Sequence, residues 1–287
     1  MTTPAVTPAS TTTPGKKDFS RLYTSPDPRP YMRYFATQDY RVLAAGAELY
    51  RRVLAEVGDP GAVVDVCSSY GQDAALLNHH LSGPELFAHY TADDVADLSR
   101  EELVARDRGF YAGLRRDTAV PVLGLDASAA AVAYGVDAGL LAEGVAADVE
   151  GDDEVDLAPL AHAGGLVVTG GIGYVGPRTF ARLLDVAEGR PWVAGMVLRW
   201  VDLDPLAELL RERGYRVQVA EDAPVVQRRV ADDGERIAML ARLHELGREV
   251  GPVEAAGHHA ALPFLAVPDG RPAPDLAALA AGLDRVR

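Results

Sequence analysis

Asp65, Cys67, Ser69 and Gly71 alternate through the turn that follows the apolar run Ala62-Val63-Val64-Asp65-Val66. Small residues in such a turn let the backbone approach a ligand, and the helix that follows offers unpaired N–H groups at its N-terminus. Ser68 and Tyr70 fill the intervening positions with hydroxyl groups. A second run, Val120-Pro121-Val122-Leu123-Gly124-Leu125, ends at Asp126 and Ala127. A carboxylate there can accept both hydroxyls of a ribose. Gly144–Ala147 ends at Asp148, and Gly165-Leu166-Val167-Val168-Thr169 runs into the loop Gly170-Gly171-Ile172-Gly173-Tyr174. Taken singly, an aspartate after an apolar run is more often a helix cap than a ligand. Four features in register with successive strand ends describe one crevice.

The elements that must position these groups alternate from Gly61 onward. Helical stretches at Gln72–His80, Ala127–Glu143 and from Arg178 separate the runs, and the strand Trp192–Arg199 and helix Asp204–Arg213 follow. This alternation predicts a doubly wound, Rossmann-like α/β sheet with its ligand at the carboxyl ends of the strands. Runs near Tyr215–Ala220 and Val225–Val230 predict an antiparallel hairpin closing the sheet. Residues 1–17 are small, polar and proline-rich and predict a disordered tail. Residues 18–59 predict an N-terminal helical cap: Pro26, Pro28 and Pro30 forbid a helix across Tyr23–Tyr31, and a helix runs from about Gln38 to Val57. Residues 60–287 form the binding domain. Asp126 lies 55 positions after Gly71, where about 20 suffice in an ordinary unit of this kind. The excess, about 81–117, is a helical insertion. It serves as a lid, or else packs on the sheet edge or forms a homodimer contact.

Of 287 residues, 48 % are hydrophobic and 24 % charged, with a formal net charge of −14. That mix supplies the core of a large soluble domain. The negative charge disfavours nucleic acid and anionic membrane surfaces as partners and leaves a small-molecule substrate. Cys67 is the single cysteine, which excludes an internal disulfide and a multi-thiolate metal site. His258-His259 resembles a metal pair, but strand neighbours point to opposite faces, so no metal is expected. The sequence shows neither a basic-then-apolar leader nor a run of roughly 20 apolar residues. A cytoplasmic address is the expectation.

The order of motifs resembles the class I S-adenosylmethionine-dependent methyltransferases, whose first motif reads Asp/Glu-x-Gly-x-Gly-x-Gly. Here Cys67 and Ser69 replace the first two glycines and Gly71 keeps the third. A nicotinamide-dependent enzyme would carry Gly-x-Gly-x-x-Gly, which this turn lacks. The resemblance covers roughly residues 40–230. It implies S-adenosylmethionine held by Asp65, Cys67, Ser68, Ser69, Tyr70, Gly71, Asp126, Ala127, Asp148, Thr169 and Gly170, with Asp126 on the ribose and Asp148 on the adenine amino group. The wording Cys-Ser-Ser-Tyr-Gly-Gln-Asp-Ala-Ala-Leu-Leu (67–77), Pro28-Arg29-Pro30-Tyr31, the insertion beginning at Leu81 and Gly173-Tyr174-Val175-Gly176 are similar to a smaller bacterial group. These are methyltransferase-like cyclases of S-adenosylmethionine, namely azetidine-2-carboxylate synthases and S-adenosylmethionine-dependent 1-aminocyclopropane-1-carboxylate synthases of antibiotic pathways. That similarity implies lyase-type chemistry, with internal attack at Cγ and release of methylthioadenosine. The alternative is methyl transfer to a small-molecule O or N acceptor. A catalytically silent binding protein is a third reading, supported only by the two lost glycines.

An internal reaction needs no acceptor site, only a folded substrate chain with reacting atoms ~3–3.5 Å apart. Closure through nitrogen requires a neutral amine; closure through carbon requires a base. Tyr174 is the first candidate to face the sulfonium with its ring, with Tyr31 and Ser69 as further catalytic candidates. Arg29 is expected to clamp the substrate carboxylate. Ser68, Ser69 and Tyr70 are placed to hydrogen-bond the carboxylate or amine, although turn chemistry accounts for the serines almost as well. His79 reads as a partner of a helix C-terminus rather than as a base.

Overall fold

A computed structural model describes residues 20–152 and 154–286; the expected tail at 1–17 lies outside the described residues. Three helices come first, α1 (Ser20–Tyr23), α2 (Arg29–Ala36) and α3 (Val42–Val57). The expectation that prolines exclude a helix before residue 31 is corrected by α2. Pro30 sits in its first turn, where the missing N–H would have had no intrahelical partner and φ is already helical.

The strands are β1 (Val63–Val66), β2 (Val122–Asp126), β3 (Glu143–Ala146), β4 (Gly165–Thr169), β5 (Trp192–Leu198), β6 (Tyr215–Val219), β7 (Val225–Arg229) and β8 (His258–Pro268). Between and after them run α4 (Gln72–Asn78), α5 (Gly83–Thr91), α6 (Arg100–Leu114), α7 (Ala129–Asp137), α8 (Pro177–Val186), α9 (Asp204–Glu212), α10 (Asp233–Glu245), α11 (Pro252–Ala255) and α12 (Leu276–Ala280). The sheet order is β3-β2-β1-β4-β5-β8-β6. β1 to β5 are parallel and β8 runs against β5. This is the doubly wound α/β fold, and its order reverses between β1 and β4, which opens a crevice at their carboxyl ends. Successive strand residues serve two cores: Val63, Val122 and Val167 face one, while Val64, Leu123 and Leu166 face the other. With both faces covered, the parallel strands read as unbroken apolar runs.

The expected hairpin of Tyr215–Ala220 with Val225–Val230 does not form. β6 and β7 both pair antiparallel with β8, β6 along Phe264–Pro268 and β7 along His258–Ala261. They lie end to end on one edge of a strand absent from the sequence reading. Pro263 falls in the gap between them, where no ladder N–H is needed, and its carbonyl accepts from Ala220 N–H at 2.9 Å.

The insertion folds as α5 and α6, each started by a capping box, Ser82 with Glu85 and Ser99 with Glu102. Asp107 of α6 is fully buried. It accepts from His89 Nε2 at 2.7 Å, Tyr90 Oη at 2.5 Å and Tyr134 Oη of α7 at 2.7 Å. A shared carboxylate thus ties the insertion to α7. No described helix is long and apolar enough to cross a membrane.

Candidate functional site

The turn after β1 keeps a glycine-type backbone without the glycines. Cys67 has φ 67°, Ser69 φ 49° and Gly71 φ 85°, all in the left-handed region that costs a residue with a Cβ roughly 1–2 kcal/mol. Hydrogen bonds from β2 hold it there. Cys67 and Ser68 N–H both donate to Leu125 O, at 2.8 and 3.1 Å. Ser69 N–H donates to Asp126 Oδ2 at 2.9 Å, and Ser128 N–H to Oδ1 at 2.8 Å. Each carboxylate oxygen of Asp126 keeps a lone pair for a ligand hydroxyl. Burial raises the Asp126 carboxyl above its ordinary value, opposed by the bonds from Ser128 and Ser69.

Beside this turn lies a buried acidic box. Asp65 is 1 % exposed and neither of its carboxylate oxygens has a partner. Asp73, in the first turn of α4, is 6 % exposed; Thr169 hydrogen-bonds its carboxylate, and Oδ1 has no partner. Tyr50 of α3 lies 2.7 Å from Thr169 Oγ1. Because the Thr169 hydroxyl donates to Asp73, it accepts from Tyr50. Gly46 allows this approach, since a Cβ there would meet Thr169 Oγ1 at 2.8 Å. Tyr31 and Tyr40 are hydrogen-bonded to each other and lie near Asp73. Burial pushes Asp65 well above the carboxylate range, with Asp73 and Asp126 adding to it. Burial pushes Asp73 up to about 7, against the bond from Thr169. Burial also pushes the Tyr40 phenol up to about 12.

A strap running from Leu22 to Pro28 is tied to the turn after β1 and to the start of α7. Tyr70 O–H donates to Leu22 O and Ser25 O, at 2.8 and 2.9 Å, and Ser128 Oγ to Tyr23 O at 2.5 Å. Tyr23 is in turn placed among Tyr40, Tyr174, Asp126 and Cys67, whose charges add to the burial that raises its phenol.

The structure thus brings together Asp65, Cys67, Ser69, Gly71, Asp126, Thr169, Gly170, Tyr31 and, through Tyr23, Tyr174. Other candidates lie elsewhere. The Arg29 side chain is bonded to Asp27 and to the carbonyls of Val95, Ala96 and Leu98. It clips the strap to the insertion. Asp148 is exposed and accepts from Gly151 N–H at 3.1 Å. Ala127 is exposed just past β2. Tyr70 latches the strap, and Ser68 Oγ faces Gly124, where a Cβ would approach it to 2.9 Å. His258 lies 3.2 Å from Asp39, whereas His259 accepts from Trp200 Nε1 at 2.9 Å; the pair points apart. Among the described residues, no group of three His, Cys, Asp or Glu side chains is placed to hold a metal ion.

Asp73, Tyr50, Tyr40 and Tyr23 are site residues that the sequence reading misses. The run Ala74-Ala75-Leu76-Leu77 behind Asp73 carried a usable signal. A helix apolar on every face buries even its acidic first turn.

The sequence matches no family model and no curated protein. Similar solved structures include precorrin-6y C5,15-methyltransferase from Geobacter metallireducens, 11 % identical over 78 % of this chain and 87 % of that one, with a TM-score of 0.41. The plantazolicin methyltransferase BpumL in complex with SAH is 9 % identical over 87 % and 93 %, with a TM-score of 0.45. A SAM-dependent methyltransferase from Aquifex aeolicus is 15 % identical over 88 % and 100 %, with a TM-score of 0.39.

Proposed function

We propose that this protein binds S-adenosylmethionine at the carboxyl ends of β1, β2 and β4 and cyclises it. The products are methylthioadenosine and a small cyclic amino acid, 1-aminocyclopropane-1-carboxylate or azetidine-2-carboxylate, for natural-product biosynthesis. The residues fit the ligand. Asp126 retains acceptor lone pairs for a ribose diol, and the left-handed turn brings backbone close to it. The unpartnered oxygens of Asp65 and Asp73 match a ligand ammonium. When bound, the ligand supplies an activated sulfonium, from which the thioether departs with the electron pair.

The observation that carries cyclisation over methyl transfer is the strap. Tyr70 and Ser128 tie it to the turn after β1 and to the start of α7, and Arg29 fastens it to the insertion. The acidic box has Tyr31, Tyr40 and Tyr50 beside it, and together with the strap these favour a folded substrate chain over an external acceptor. Tyr23, placed near Tyr174, Asp126 and Cys67, and Tyr174 are the aromatic groups available to face a cation there. The strand-end set of Asp65, Asp126 and Thr169 serves methyl transfer equally well, and this supports the second reading, a small-molecule O- or N-methyltransferase.

Incubation with S-adenosylmethionine alone, followed by mass spectrometry, separates the two. Methylthioadenosine and a cyclic amino acid above the protein-free blank are expected, and co-elution with standards assigns the ring. S-adenosylhomocysteine formed only with an added acceptor establishes methyl transfer instead. An unchanged substrate overturns cyclisation.

A further inference from the structure

No strand-end motif accounts for Asp73. A carboxylate in the first turn of a helix ordinarily stays in water and meets the helix dipole. This one is buried against a second buried carboxylate. Neither Asp65 nor Asp73 has an ion-pair partner among the described residues. The groups facing Asp73 are Asp65 from β1, Thr169 from β4, Tyr50 from α3, Tyr31 from α2 and Tyr40 from the segment between α2 and α3. All are neutral or acidic, and Arg228 behind Tyr40 is paired with Glu235. Two adjacent buried carboxylates without a cation are costly unless a cationic ligand completes them.

The unpartnered oxygens also have a number and a chemistry. Asp65 has two and Asp73 one, buried acceptors that the N–H bonds of a primary ammonium can use. A quaternary ammonium, with no N–H to give, would leave this set unmatched. The two aspartates are not equivalent, because Thr169 donates to Asp73 and accepts from Tyr50. That bond favours the charged form of Asp73 and marks it as the proton acceptor of the pair.

We propose that Asp65 and Asp73 together seat a primary α-ammonium group, and that Asp73 takes the proton that must leave before this nitrogen becomes a nucleophile. The seat rests on the reading that S-adenosylmethionine is the ligand, and the proton transfer on the cyclisation reading with closure through nitrogen. In that step an N–H bond breaks and its proton passes to Asp73 Oδ1, leaving the electron pair on nitrogen. That pair then forms the N–Cγ bond, while the Cγ–S pair stays on sulfur and cancels its positive charge. The ring leaves as a secondary ammonium, and Asp73 returns its proton to water.

The seat is tested without turnover. Calorimetry compares S-adenosylhomocysteine with its desamino analogue, which carries hydrogen in place of the ammonium, on wild type, Asp73→Asn and Asp73→Glu. Wild type is expected to prefer the amine-bearing ligand by about 10-fold or more, the range of a bond to a charged group. Asp73→Asn should lose most of that preference with its desamino affinity unchanged, and Asp73→Glu should recover part of it. The wild-type preference should grow between pH 5.5 and 8, a window that brackets about 7. An equal preference in wild type and Asp73→Asn overturns the seat while leaving cofactor binding intact. Binding of neither ligand to wild type overturns the cofactor reading together with the seat. For the proton, Asp73→Asn should lower kcat far more than it raises KM and should remove the acid limb of the kcat–pH profile. Retention of that limb overturns the acceptor role.

Discussion

Asp73→Asn should stabilise the ligand-free protein, and the gain should depend on pH in a set direction. In the folded state the Asp73 carboxyl is pushed up to about 7 by burial, whereas in an unfolded chain it titrates near ~3.9. Between these values the folded state binds more protons, so the group's favourable contribution is complete below ~3.9 and is lost as pH rises through about 7. The full difference is about 3 pH units, or on the order of 4 kcal/mol at 1.36 kcal/mol per unit. Asn is neutral throughout and escapes that loss, and its side-chain oxygen can still accept from Thr169. For a chain of this size each kcal/mol is worth roughly 2–4 °C. The Tm of Asp73→Asn should therefore lie within about 4 °C of wild type near pH 4.5 and exceed it by roughly 8–16 °C near pH 8.5. Differential scanning calorimetry at constant ionic strength across that range reads the effect directly. Saturating S-adenosylhomocysteine should reverse it at pH 8.5, stabilising wild type more than the variant. Parallel Tm–pH curves for the two ligand-free proteins would refute the reasoning, because they would show Asp73 to be as ionisable folded as unfolded.

Tyr70→Phe removes the hydroxyl that holds Leu22 and Ser25. At about 1 kcal/mol for a hydrogen bond, amide exchange across residues 22–28 should accelerate roughly fivefold, as mass spectrometry would show. Tyr174→Ala should cost kcat about 10-fold, the scale of a desolvated cation–π contact, with little change in cofactor affinity; an unchanged rate removes Tyr174 from the catalytic set. Asp107→Ala strands the buried hydroxyls of Tyr90 and Tyr134 and the His89 ring. It should lower the unfolding free energy in urea by about 3 kcal/mol or more. Ser69→Gly relieves a left-handed residue, a gain of roughly 1–2 kcal/mol offset by about 0.5–1 for glycine's entropy, so its Tm should rise slightly.

What was legible in the sequence was whatever follows from burial along the chain. β4 spans Gly165–Thr169, as its apolar run predicts, because a parallel strand covered on both faces can hold little else. Strand ends were visible for the same reason, and with them Asp65, Asp126 and Thr169. Position after a strand cannot tell a ligand from a cap: the Asp148 carboxylate accepts from Gly151 N–H in an exposed loop and keeps acceptors to spare. Arg29 shows a separate limit. Its partners Val95, Ala96 and Leu98 lie 66 to 69 positions away, and no local pattern records such a convergence. β8 escaped because Pro263 contradicts a central strand unless β6 and β7 leave a gap beside it. Asp73 escaped because an acid in a first helical turn has an ordinary surface explanation. The packing of α3 against α4 and the tyrosines Tyr31 and Tyr40 turns that position inward.

The replaced glycines change meaning once the backbone is known. Loss of two motif glycines was the sole support for a silent binding protein. Cys67 and Ser69 both occupy the left-handed region beside Gly71. Two bonds to Leu125 O and one to Asp126 compensate the strain. Strain of this kind persists only where the surroundings over-determine it, and it concentrates at functional sites. The side chains meanwhile occupy space that glycines would leave open. Cys67 presses on the loop after β4, where a Cβ on Gly171 would stand 2.9 Å from its sulfur, and Ser69 Oγ accepts from Gln72 at 3.4 Å. The turn keeps the backbone of a cofactor-binding motif while filling the crevice beside it. An abandoned site has no reason to hold two strained residues in place.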